Sequence, residues 1–149
     1  MRIRRPEASL ATRQSGWIVA MEPWRSLGYQ DRGLGRYLRR MARAGQALVA
    51  EEEGTVLGIL VYQPDFLLGP FVALLAIRPE AAGRGIGRAL MARIEKLAFP
   101  KRRWLWVSSD SQNQAAARFY RKLGFARVAR LPGLIRDGRD ELLWRKGRG

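Results

Sequence analysis

The sequence predicts an α/β fold in a single domain, and three observations carry that prediction. Short β-rich runs alternate with helix-periodic stretches in the order β-α-α-β-β-β-α-β-α-β-β. At the centre, residues 74–90 read LLAIRPEAAGRGIGRAL: an apolar run, a glycine-rich turn, then an amphipathic helix. The chain has 149 residues with no internal repeat or linker, the length of one domain with a proper core.

Taken in order, residues 2–5 form a first strand, stopped by Pro6. Leu10, Trp17, Ile18 and Met21 mark an imperfect helical stripe over residues 8–22, interrupted by Pro23. A second helix spans residues 29–44, because Leu34, Tyr37, Leu38 and Met41 recur at three- and four-residue steps. Asp31 near its start and Arg39, Arg40 and Arg43 near its end suit the helix macrodipole, and Gly45 is a natural stop. Residues 47–51 and 56–62 are β-rich and make a hairpin. Gly58 inside the second of these strands signals a bulge or a close approach. Residues 63–70 read as a loop and residues 71–77 as the apolar strand before the glycine turn. The helix after that turn covers residues 85–98, with Leu90, Met91, Ile94 and Leu97 on one stripe. Pro100 and a basic turn lead to a strand at residues 104–108. A last helix starts near residues 111–113 and stops at Gly124. Residues 125–131 and 141–145 are strands, linked by a loop over residues 132–140.

Gly83, Gly85 and Gly87 carry no Cβ, so backbone N–H groups there can approach a ligand closely. The helix that follows adds unpaired N–H donors and a positive dipole end. Arg84 and Arg88 flank the turn. The local string supports a phosphate cradle or simple strand–helix packing equally well. No Gly-Lys-Ser/Thr follows, so it is not a Walker loop, and the glycine spacing is not G-x-G-x-x-G.

The string IRPEAAGRGIGRALM resembles motif A of the GNAT superfamily of N-acetyltransferases, written Q/R-x-x-G-x-G/A. Gly85, Ile86 and Gly87 match its second half, while Ala82 stands where the family has Gln or Arg. Residues 113–125, NQAAARFYRKLGF, resemble motif B: Asn113, Ala116, Tyr120, Gly124 and Phe125 all fall in place. The likeness is close over residues 46–145 and looser before them. It implies a central mixed, mostly antiparallel sheet of about seven strands flanked by about four helices, with a splayed parallel strand pair at the cofactor site. It implies acetyl-coenzyme A as cofactor, held by Leu75 and Ile77 along the pantetheine arm, by Ala82, Gly83, Arg84, Gly85, Ile86, Gly87 and Arg88 around the pyrophosphate, and by Asn113. Alanine at position 82 keeps the backbone N–H and loses a side-chain contact. Tyr120 is then the general acid for the departing thiolate, since an ordinary phenol is protonated at neutral pH. Asn113 serves equally as a helix cap, and Tyr120 alternatively as a half-buried packing residue.

No carboxylate lies in residues 71–77, so the sequence names no clear general base. Glu22 and Asp110 are the weak candidates, Glu51, Glu52 and Glu53 read as a solvated hairpin tip, and a water relay serves as well. Trp17, Trp24 and Tyr29 suggest an aromatic acceptor pocket or ordinary core. The chain has no cysteine and no histidine, which removes disulfides, thiolate nucleophiles and the commonest metal ligand. No metal site is expected, and acetyl transfer would be direct, within a ternary complex. No apolar run approaches the ~20 residues of a membrane span, and no secretory signal is apparent, so a cytoplasmic protein is the default. The net charge of +15 invites nucleic acid, but the arginines are dispersed, so specific binding is not expected. The same charge disfavours polycationic acceptors. The sequence thus favours an N-acetyltransferase acting on a primary amine of a small molecule or peptide. The alternatives are a non-catalytic acyl-coenzyme A sensor and, less favoured, a basic nucleic-acid-associated protein. A homodimer through the sheet edge is compatible with the resemblance.

Overall fold

The computed structural model describes residues 1–148. Its elements are β1 (Arg2–Arg4), α1 (Ala8–Thr12), α2 (Ser15–Val19), α3 (Asp31–Arg43), β2 (Ala47–Glu52), β3 (Thr55–Phe66), β4 (Gly69–Ile77), α4 (Ile86–Ala98), β5 (Trp104–Asp110), α5 (Gln114–Lys122), β6 (Ala126–Arg136) and β7 (Arg139–Gly147). The strand order in the sheet is β1-β2-β3-β4-β5-β7-β6. The β1–β2, β2–β3, β5–β7 and β6–β7 pairs are antiparallel, and β4–β5 is parallel. This is the expected mixed, mostly antiparallel sheet of seven strands with flanking helices.

The chain divides into two compact units. The first comprises Met1–Tyr62 and Leu74–Ile94. Its core gathers Ile18, Leu34, Leu38, Val49, Ile59 and Leu74. The amphipathic α3 buries Leu34, Leu38 and Met41 and leaves its arginines outside. The single stripe expected over residues 8–22 is in fact two short helices. Thr12 and Ser15 at the break send their side chains to α3, and Gln14 bonds back onto the α1 backbone. Thr12 Oγ1 donates to Gly35 O at 2.8 Å, Gln14 Nε2 to Leu10 O at 2.9 Å, and Ser15 Oγ to Asp31 Oδ1. Such side chains compete with helix continuation.

The second unit comprises Gln63–Ala73 and the chain from Glu95 onward. Two segments read as loops are strands here. β3 runs on to Phe66, turns at Leu67 and Leu68, and returns as β4. Both leucines adopt left-handed backbone (φ 44° and 69°), a turn that usually takes Asn-Gly. The turn is seated on β5: Trp104 N–H donates to Leu68 O at 3.3 Å and Trp106 Nε1–H to Leu67 O at 3.1 Å. A Cβ on Gly69 would lie 1.7 Å from the Trp104 carbonyl oxygen, so only glycine fits. Residues 132–140 are likewise the ends of β6 and β7 around a turn at 137–138. Pro132 is compatible with β6 because β6 is the outer strand of the sheet and bulges between Leu131 and Arg136.

Candidate functional site

The glycine turn belongs to the first unit, and β4 delivers it. Along Leu74–Ile77 the side chains alternate, so Leu74 and Ala76 are buried while Leu75 and Ile77 lie half-buried on the other face. Arg78 fixes the exit of the strand. Its N–H donates to Leu57 O at 2.8 Å, its Nε to Val56 O at 2.6 Å, and its guanidinium lies over Trp17 at 4.9 Å. Pro79–Ala81 make one tight 3₁₀ turn. Gly83 and Gly85 then adopt left-handed backbone (φ 80° and 78°), and nothing lies within 4 Å of where either Cβ would be. Residues 82–85 are exposed, and Gly85 O accepts the Ala89 N–H at 3.0 Å as α4 begins.

Ile86, Leu90, Met91 and Ile94 anchor α4 in the core. Ile86 is fully buried, so only its backbone can face a ligand at the turn. A Cβ on Gly58 would lie 2.8 Å from Ile77 Cδ1 and 3.0 Å from Ile86 Cγ2. The close approach expected at Gly58 is therefore what lets the first turn of α4 lie against β3. Gly87 sits in that first turn, and Arg88 is exposed and makes no ion pair among the described residues. Arg84 is engaged, with Nη2 2.7 Å from Glu52 Oε2 in a half-exposed pair. The open, positively flanked turn at a helix N-terminus is chemically suited to phosphate oxygens.

In the second unit, Tyr120 on α5 is only 5 % exposed. Its ring lies edge-on to Phe119 at 5.3 Å and to Phe125 at 5.7 Å, and 6.4 Å from Trp144. Burial, and then the Glu141 carboxylate, push its phenol well above the ordinary value of 10.0. The hydroxyl therefore stays protonated across neutral pH. Asn113 caps α5: its Oδ1 accepts the Ala116 N–H at 3.0 Å. The packing and capping readings of Tyr120 and Asn113 thus have a structural basis.

The β4–β5 ladder consists of Phe71↔Trp106 and Val72↔Val107, with Ala73 and Ser108 beyond its end. Past that point β5 pairs with β7 to Asp110↔Glu141. Asp110 is 3 % exposed, takes Arg139 Nη2 at 2.6 Å and accepts the Gln112 N–H at 2.7 Å. It is pinned as a structural acid. Glu141, which the sequence did not single out, accepts from Ser108 Oγ at 2.8 Å. Burial raises its carboxyl, the Ser108 hydrogen bond lowers it, the Asp110 carboxylate raises it again and the Arg139 guanidinium lowers it, with a net upward shift.

The other candidate acids are committed elsewhere. Glu22 is exposed, and hydrogen bonds from the Ser26 side chain and N–H, then its pair with Arg25 at 3.0 Å, hold its carboxyl below the usual range. Glu51 is bound by Arg4 at 2.6 Å and Arg2 at 2.7 Å. Trp17 and Trp24 pack against the core, whereas Tyr29 is 38 % exposed. Among the described residues no group of three acids is placed to hold a metal ion, and no helix is long and apolar enough to cross a membrane.

The model of the acetyltransferase (GNAT) family matches residues 12–125. An uncharacterized N-acetyltransferase of Methanocaldococcus jannaschii is 32% identical over 97 residues, 64% of this chain and 62% of its own. The peptidyl-lysine N-acetyltransferase YiaC of Escherichia coli is 34% identical over 80 residues, 54% of this chain and 49% of its own. The chain thus spans less than two thirds of the length of either relative. A solved aminoglycoside 6'-N-acetyltransferase complexed with coenzyme A shares the fold, with a TM-score of 0.78 over 99% of this chain and 97% of its own, at 16% identity.

Proposed function

The chain belongs to the acetyltransferase (GNAT) family, and we propose that it transfers the acetyl group of acetyl-coenzyme A directly to a primary amine within a ternary complex. The observation that carries this reading is the exposed turn at residues 82–85, with two open left-handed glycines feeding a helix anchored in the core by one face. Its backbone N–H groups, with Arg84 and Arg88, suit a pyrophosphate. Coenzyme A in the structural neighbour supports the choice of cofactor, and the peptidyl-lysine specificity named for one relative supports an amine acceptor. Acetyl-coenzyme A supplies the activated thioester. In this reading backbone groups of Leu75 and Ile77 hold its arm, the Asn113 amide adds a hydrogen bond, and Tyr120 gives its proton to the departing sulfur. The chain acts as one acetyltransferase domain.

Calorimetric titration with acetyl-coenzyme A tests the site. Native protein should bind, and Gly85→Val should bind at least about ten-fold more weakly, since a β-branched residue cannot adopt the left-handed backbone cheaply. Tyr120→Phe should keep the affinity and lose about 10²-fold or more in turnover. Absence of binding by the native chain would overturn the reading.

A second reading, a non-catalytic acyl-coenzyme A sensor, draws on Ala82, which replaces a polar motif side chain. An acetyl-coenzyme A response indifferent to Tyr120→Phe would favour it.

A further inference from the structure

Glu141 and Asp110 stand directly opposite each other across β7 and β5. Like charges in that position are unfavourable. The strands resolve half of the problem. Arg139, diagonal to Asp110, gives its guanidinium to that carboxylate at 2.6 Å. Glu141 accepts from a neutral donor, Ser108 Oγ, on the opposite diagonal, and Arg139, already paired with Asp110, acts on it only through its charge. It makes no ion pair among the described residues, although it is half-buried. From β6 its register neighbour is Leu131, which offers no charge. The adjacent Asp140 is held by Arg130 and accepts the Gly133 N–H. With the one arginine shared between two facing carboxylates, a half-buried Glu141 still gains from a further cation.

Its position gives that cation a purpose. Ser108 is the first residue of β5 past the end of the parallel ladder with β4. Glu141 and Trp144 alternate onto opposite faces of β7, and the ring of Tyr120 lies by Trp144. A group held at Glu141 and a group served by Tyr120 therefore meet the end of β5 from opposite faces. The two side chains also sense each other, since Glu141 is the charge that helps raise the Tyr120 phenol.

We propose that Glu141, positioned by Ser108, binds the ammonium form of the acceptor and is the general base that deprotonates it; this rests on the acetyl-transfer reading above. One ammonium proton passes to the Glu141 carboxylate and from there to solvent. The nitrogen lone pair forms the C–N bond as the C–S bond breaks, and Tyr120 gives its proton to the sulfur. The second nitrogen proton restores Tyr120. The raised carboxyl of Glu141 makes it a better base than an ordinary glutamate. The chemistry it recognises is a cationic primary amine with room for one ammonium.

The test compares two acceptors with acetyl-coenzyme A by thiol release: a short peptide with one free lysine, and hydroxylamine, which is already neutral at pH 7. Glu141→Gln keeps the shape and can still accept from Ser108, so folding is preserved. It should lower kcat/KM for the peptide about 10²-fold and remove the acid limb of its pH profile, while hydroxylamine changes by no more than about three-fold. Ser108→Ala should shift that limb with a smaller loss. Calorimetry separates the two levels: native and Glu141→Gln should bind acetyl-coenzyme A alike. No binding by either removes the acetyl-transfer reading itself. Equal affinity with equal loss on both acceptors, or with no loss on either, overturns only the assignment of Glu141, whereas binding with no turnover of either acceptor by the native chain overturns the acetyl-transfer reading and the assignment with it.

Discussion

Glu51 shows how a single side chain can report on the whole first unit. Arg4 Nε stands 2.6 Å and Arg2 Nη2 2.7 Å from its Oε1, which ties β1 to β2. The Arg4 hydrogen bond, then that of Arg2, lower its carboxyl from 4.5 to about 2. A depressed folded-state value stabilises the fold only where the carboxylate is ionised. The contribution is therefore complete above 4.5 and disappears as pH falls toward 2. In melting scans against pH, native protein should exceed Glu51→Gln at neutral pH, and the gap should close between those two values. A gap that survives to the acid end would mean that Glu51 acts through packing rather than charge.

At the scale of elements, Gly58 decides whether β3, β4 and α4 fit together. The Cβ of an alanine would meet Ile77 Cδ1 at 2.8 Å, Ile86 Cγ2 at 3.0 Å and Leu90 Cδ1 at 3.2 Å. Ile77 ends β4 and Ile86 starts α4, so any shift is passed to the glycine turn between them. Gly58→Ala should cost about 1–3 kcal/mol by urea unfolding and weaken acetyl-coenzyme A binding as well. Lost stability with unchanged affinity would separate the turn from the packing beneath it.

The same elements show what the sequence could disclose. Strand, glycine turn and helix are local patterns, so the turn and the α5 cap were readable from spacing, while Tyr120 was singled out by the likeness to motif B. The β3–β4 and β6–β7 turns were not. Leu67 and Leu68 lack the Asn-Gly signature of their backbone, and Pro132 hid the course of β6. Glu141 was missed for the same reason. Its meaning lies in a cross-strand register with Asp110 and Ser108, which local periodicity does not encode.

For the molecule as a whole, the charge of +15 looked dispersed along the chain. Folding concentrates part of it. Arg32, Arg36, Arg39, Arg40 and Arg43 lie on the exposed side of α3 at steps of three and four, and none forms an ion pair among the described residues. Like charges at those steps oppose one another, so an anion passing along this helix relieves repulsion. The stripe reads no bases, because nothing in it selects a sequence. Random duplex DNA should therefore bind at low salt and be released near physiological salt. Changing Arg36 and Arg40 to Gln should make the slope of log K against log salt shallower by about 1.8, some 0.9 for each phosphate contact removed. An unchanged slope would place the electrostatic contact elsewhere on the surface. Strong binding that survives physiological salt and prefers one sequence would instead favour the nucleic-acid reading.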